Sequence, residues 1–210
     1  MRKLIYIPVV HNATDLGSLG NELLEAGEIK YGKNKWQEHI KNVNDTWLNI
    51  KHKIDEKTYN FANKIKIYQD GLPIIGEIGT KIINDCANNG SENYKIVKYL
   101  IDNGAKIKLA ENVDFLLKEY QHISQINKAK TNLEKIIASA QYNLIAQELL
   151  NERDVFISNQ INKTLNEEEI GIAFFGAIHS IIDKLDIDIE VSLIDMFKDE
   201  ISLNLKANEK

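Results

Sequence analysis

Four short apolar runs, Leu4 to Val10, Ile65 to Tyr68, Ile107 to Ala110 and Ile172 to Gly176, stand apart from the rest of the chain. Each has the length of a strand, and each is separated from the next by enough sequence for a helical crossover, the spacing of parallel βα units. From Ile187 to Leu193 apolar residues alternate with Asp188, Glu190 and Ser192. A period of two leaves one face wet, which predicts a fifth strand at the sheet edge. Between the first two runs, Trp36, Ile40, Val43, Trp47, Ile50 and Ile54 recur every three or four positions. They form one stripe of a packed helix, with both tryptophans in the core; His39 and His52 fall off the stripe and face solvent. Ser91 to Asn103 reads as a further helix, with Gly104 as its stop.

Val113 to Leu165 is helix-compatible almost throughout. One straight helix of that length would reach roughly 80 Å at about 1.5 Å per residue, so breaks are expected. Thr131 with Glu134 predicts a capping box at one helix start, and Asn151 with Asp154 predicts a second start. The whole pattern predicts an α/β fold. Its mainly parallel central sheet has about five strands, helices cover both faces, and a long helical excursion fills the second half. We expect one domain over residues 1–204, with room for two related halves, and a frayed tail over 205–210.

Composition narrows the function. With 2 Pro and 11 Gly in 210 residues, the chain has too few breaks for a many-turned all-β sandwich. A net charge of −5 argues against nonspecific nucleic-acid binding, which requires a basic face. The single cysteine, Cys86, forms no internal disulfide or zinc cluster and fits a reducing, cytoplasmic setting. Leu4 to Val10 comes after Arg2 and Lys3 as a secretion signal would, but it is short, contains Pro8 and lacks a small-residue cleavage site. No apolar run approaches the roughly 20 residues of a membrane helix. Among 26 basic residues only Arg2 and Arg153 are arginines, so a lysine cluster carries little information and Arg153 carries more.

The chemistry lies in the polar residues at the strand exits. His11 comes after the first strand, Asp70 after the second, Glu111 after the third and His179 after the fourth. In an open parallel sheet these C-terminal edges face one side, where ligands bind. Two imidazoles and two carboxylates can therefore meet there as metal ligands or as general acid and base. Each carboxylate also has a plainer reading: Asp70-Gly71 is a common turn dipeptide, and Glu111 precedes a helix whose dipole favours a carboxylate. Arg153 can reach the crevice and hold a carboxylate through its fork of donors, or pair with Glu152 on the surface. No H-E-x-x-H, G-x-S-x-G or G-x-G-x-x-G pattern occurs.

Gly176-Ala177-Ile178-His179 is a G-x-x-H segment, and Pro8-Val9-Val10-His11 occupies the place of a first one with proline for glycine. Glu152-Arg153-Asp154 resembles a Glu-Arg-Asn motif, and Gly104-Ala105-Lys106-Ile107 ahead of Glu111 resembles a glycine, strand, acidic-residue sequence. In order and spacing these segments resemble the TraB/Tiki superfamily, which includes erythromycin esterase-like proteins. That resemblance implies an α/β hydrolase of peptide or ester bonds, metal-dependent in some members, acting on a peptide or small-molecule substrate. Its site would be His11, His179, Asp70, Glu111 and Arg153, with a divalent ion held by the two histidines and one or both carboxylates. The competing expectation is a noncatalytic protein of the same fold that binds a metal, haem or a small ligand in that crevice.

Overall fold

The structure, a computed structural model of the chain, describes residues 1–9, 28–29, 31–58, 64–194 and 201–203. Strand β1 (Arg2–Val9) is followed by helix α1 (Lys33–Thr58), β2 (Ile65–Gln69), α2 (Gly76–Asn88), α3 (Glu92–Asp102) and β3 (Lys106–Lys108). Then come α4 (Val113–Lys128), α5 (Asn132–Thr164), β4 (Ile170–Gly176), a 3-10 turn (Ile182–Lys184), β5 (Ile189–Leu193) and β6 (Ile201–Leu203). The strands form one sheet in the order β3-β2-β4-β1-β5-β6. All pairings are parallel except β5 with β6. The predicted α/β architecture is therefore present.

Alternation along the strands divides the interior into two layers. Ile5, Ile7, Ile67, Ile172 and Phe174 point to one face, where Trp47, Ile50 and Ile54 of α1 pack together with Ile83 and Val97. Leu4, Tyr6, Tyr68, Phe175 and Val191 point to the other, against Ile157, Ile161 and Leu165 at the C-terminal end of α5. Strands buried on both faces are the expected product of βα crossovers on each side. Gly171 leaves room for the side chains of this second layer. A Cβ there would stand 2.6 Å from Leu4 Cδ1 and 3.3 Å from both Leu165 Cδ2 and Tyr68 Cε2.

Four expectations change. The period-two strand, β5, is not the edge; it lies between β1 and β6. Its wet face has another cause: Glu190 and Ser192 line a cleft of about 220 Å³ with Lys3 and Lys57, while Ile189 and Val191 are buried. Trp36 is only half-buried and stacks on Tyr31, with ring centroids 6.1 Å apart and planes within 8°, whereas Trp47 is core. The capping box forms at Thr131 and Glu134 as predicted. No second start forms at Asn151, because α5 runs unbroken for 33 residues and the Asp154 carboxylate is engaged with residues beyond β4. The third strand ends at Lys108, two residues before Ala110. The tail 205–210 lies outside the described residues, and no helix of the described residues is long and apolar enough to cross a membrane.

The two-layer packing sets a stability test. Trp47→Ala removes a side chain that is fully buried against Phe174 and should destabilise the protein by ~3–5 kcal/mol in denaturant unfolding. Gly171→Ala should lower the unfolding midpoint although it adds only a methyl group, because Leu4 must leave its rotamer.

Candidate functional site

β3, β2 and β4 are neighbours in the sheet, so their C-terminal ends deliver Glu111, Asp70 and His179 to one place. Each is aimed by local geometry. Gly71, with φ of 69°, turns the chain immediately after β2, and the Asp70 N–H donates to Phe174 O at 2.9 Å. Gln69 donates both to Asp70 O at 3.2 Å and to Asn93 Oδ1 at 2.8 Å, tying the strand end to α3. After β4, the His179 N–H donates to Gly176 O at 3.0 Å. The spacing of glycine and histidine is thus one turn that folds the imidazole back over the sheet edge. The Gly176 N–H in turn donates to Asp70 Oδ2 at 2.9 Å.

Helix α5 supplies the other side of the site with two consecutive residues. Arg153, only 5% exposed, donates from Nη2 to Glu111 Oε1 at 2.6 Å and to Asp70 Oδ1 at 3.0 Å. Its Nη1 donates to Glu119 Oε2 on α4 at 2.7 Å, and Tyr142 donates to the other oxygen of Glu119 at 2.9 Å. Asp154 takes the imidazole: its Oδ1 lies 2.6 Å from His179 Nδ1, and its Oδ2 accepts from the Ser180 N–H at 2.9 Å. The opposite ring nitrogen, Nε2, faces Asp70 Oδ2 at 3.6 Å. A carboxylate on Nδ1 puts the ring proton there and leaves Nε2 as the working nitrogen. Phe175 meets the same ring edge-on, with centroids 5.7 Å apart.

Among the described residues the charges do not balance. Four carboxyl groups, Asp70, Glu111, Glu119 and Asp154, surround one guanidinium and one imidazole. Burial pushes the Glu111 carboxyl up to about 7, and the charge of Asp70 adds to this, although the Arg153 bonds pull the other way. Burial disfavours the His179 imidazolium, but the hydrogen bond and charge of Asp70, with Asp154, outweigh it and raise the histidine above its ordinary value. Tyr6 of β1, 4% exposed, has no hydrogen-bond partner for its hydroxyl among the described residues. Burial raises that phenol strongly, and the nearby charges of Asp70 and Asp154 act in the same direction. A buried hydroxyl without a partner costs stability, and such groups mark places where a ligand or water atom belongs.

Of the five residues expected at the site, Asp70, Glu111, Arg153 and His179 converge, while His11 lies outside the described residues. The surface reading of Arg153 is replaced by a buried one. Glu119, Tyr6 and the orienting role of Asp154 were not read from the sequence. For Asp154 a signal existed, since it follows the only internal arginine in the Glu-Arg-Asp run. Asp70, Glu111 and His179 each present a ligand atom within 4.8 Å of the other two. Oxygen and imidazole donors with surplus negative charge suit a divalent cation, so the donor set fits one. No family model matches the chain, and neither a curated protein nor a solved structure matches it.

Linkage gives a test of the buried carboxyl. Glu111 is raised from 4.5 in the unfolded chain to about 7 in the folded one. Its contribution is fully present below the lower value and is lost as pH rises through the upper one. In chelator-treated protein, stability should fall between those two values by up to about 3 kcal/mol from this group. Glu111→Gln should flatten that part of the profile in urea titrations.

Proposed function

We propose that this chain is a hydrolase of peptide or ester bonds, of the TraB/Tiki type that its G-x-x-H segment resembles, working at the C-terminal edge of β2, β3 and β4. One observation carries the reading: a histidine clamped through Nδ1 by a buried carboxylate, with Nε2 turned toward a second carboxylate and beside a third carboxyl that burial pushes up. This is the arrangement of an oriented general base beside a general acid. His179 Nε2 takes a proton from the attacking water, while Asp154 fixes the ring and stabilises the imidazolium that forms. Glu111, whose protonated form burial favours, gives a proton to the departing amine or alkoxide. Arg153 holds Asp70 and Glu111 in place and offsets their charge. The Tyr6 hydroxyl, without a partner among the described residues, is a donor for the oxygen that gains charge as the carbonyl is attacked.

In a metal-dependent form of the same reading, Asp70, Glu111 and His179 would hold a divalent ion in place of these proton-transfer roles, with Asp154 as the outer group that orients the imidazole. When bound, such an ion supplies polarisation of the substrate carbonyl and acidification of a water molecule. The second reading is a noncatalytic metal- or small-ligand-binding protein. It is favoured by the saturation of Arg153 with three carboxylates and by the burial of Asp70, Glu111, Arg153, Asp154 and His179.

Turnover of peptide and ester libraries, with and without chelator, separates the two. His179→Ala should abolish hydrolysis. Asp154→Asn should lower it by about 10–100-fold with the fold retained. Tyr6→Phe should reduce kcat with little change in KM and no loss of stability, because it removes a hydroxyl that has no partner among the described residues. Hydrolysis that persists in both His179→Ala and Asp154→Asn would end the assignment. Ligand or metal binding without turnover would transfer it to the second reading.

A further inference from the structure

Glu119 reaches the cluster from α4, a helix with no buried residue among those described, and both of its oxygens are engaged. Oε2 accepts from Arg153 Nη1 at 2.7 Å, and Oε1 accepts from the Tyr142 hydroxyl at 2.9 Å. A carboxylate bonded at one oxygen can still swivel about that bond, whereas one bonded at both has its plane fixed. Tyr142 stands eleven positions before Arg153 on α5. That is about three turns, or ~16 Å, so the two side chains leave the same side of the helix. The His122 ring lies over the phenol, with centroids 6.1 Å apart and planes 29° from parallel, and holds the tyrosine in this orientation. Burial, with the hydrogen bond and charge of Glu119, pushes the phenol up to about 12, so it remains a donor through the neutral range.

We propose that Tyr142 is a positioning residue of the candidate site, acting through Glu119 on the guanidinium of Arg153. This role rests on the hydrolase reading of the cluster at the strand ends. Arg153 Nη2 is drawn to Glu111 at 2.6 Å and to Asp70 at 3.0 Å, while Nη1 is held by Glu119. The guanidinium therefore sits where the pulls of three carboxylates balance. Its place beside Asp70 and Glu111 depends on how firmly Glu119 is fixed. Without the phenol, Glu119 is free to turn toward water, Nη1 loses an aligned acceptor, and the guanidinium shifts onto the two strand-end carboxylates. Asp70 then moves relative to His179, whose Nε2 faces Asp70 Oδ2 at 3.6 Å. Proton transfer is sensitive to displacements well under an ångström, so a bond this far from the reacting atoms still reaches the rate. A simple staple between α4 and α5 would stabilise the helix pair as well, but it would leave Arg153 where it is.

Arg2 and Arg153 are the two arginines of the chain. Isotopic nitrogen labelling of arginine therefore gives two sets of guanidinium signals by NMR, with Arg2 as the internal control. Tyr142→Phe should shift or broaden the Arg153 set and leave the Arg2 set unchanged. In the peptide and ester assays it should lower kcat by about 5-fold with KM unchanged. Glu119→Ala should lower kcat by about 10-fold. Adding Tyr142→Phe to Glu119→Ala should cost nothing more, because the tyrosine acts through that carboxylate. Arg153 signals that ignore Tyr142→Phe would overturn the assignment, whether or not any substrate is turned over. A loss from Tyr142→Phe as large in the Glu119→Ala chain as in the unaltered one would overturn it equally. If the Arg153 signals respond but the unaltered chain turns over neither peptide nor ester, the hydrolase reading fails by itself and the positioning of Arg153 by Tyr142 is upheld.

Discussion

The C-terminal edge of the sheet depends on one buried guanidinium. Arg153 binds Asp70, Glu111 and Glu119 at once, and these come from the ends of two strands and from α4. Carboxylates brought this close repel each other, and each lost its hydration on burial. Without a cation between them the strand ends could not stay together. Lysine would not serve, because its ammonium lacks the planar fork that reaches three partners in different directions. The opposite end of the sheet repeats the solution: Arg2 binds Asp186 and Asp188 and also donates to the Asn162 and Leu165 carbonyls. The chain's two arginines thus sit where several acceptors from distant segments must be gathered.

Much of this was legible in the sequence because burial leaves a strong periodic trace. Four apolar runs marked β1 to β4, and the stripe ending at Ile54 marked the helix that covers Ile67 and Ile172. The polar residues after the strands were legible for the same reason, since parallel strands share one exit side. The order of strands was not. Nothing local in β4 says that it inserts between β1 and β2, yet that insertion makes Asp70 and His179 neighbours. The β5 alternation was read correctly as one wet face and wrongly as an edge, because a cleft and an edge wet a strand alike. Asp154 misled for a related reason: a carboxylate near a helix turn has the same local appearance whether it caps its own backbone or reaches a distant imidazole.

The plainer reading of Asp70 is compatible with its place in the cluster. Asp70-Gly71 is a turn, and that turn aims the Asp70 carboxylate at Arg153. Gly176 to His179 is also a turn, closed by its own backbone hydrogen bond, and that closure swings the imidazole toward Asp154. In a parallel sheet the chain must change direction just where ligands gather, so one residue is required to do both.

Arg153 and Asp154 are adjacent on one unbroken helix, and about 100° of helical phase separates their directions. That phase is locked to the sheet by Ile157 and Ile161 below them. The outer stretch of the same helix carries no such anchor. One residue inserted beyond Leu149 would swivel the projecting tip around the helix axis and leave both side chains in register. The same insertion below Asp154 would turn the pair away together. A change of length on the outer side of Leu149 would thus cost contacts with α4 such as Tyr142 on Glu119, and one on the inner side would cost the cluster itself.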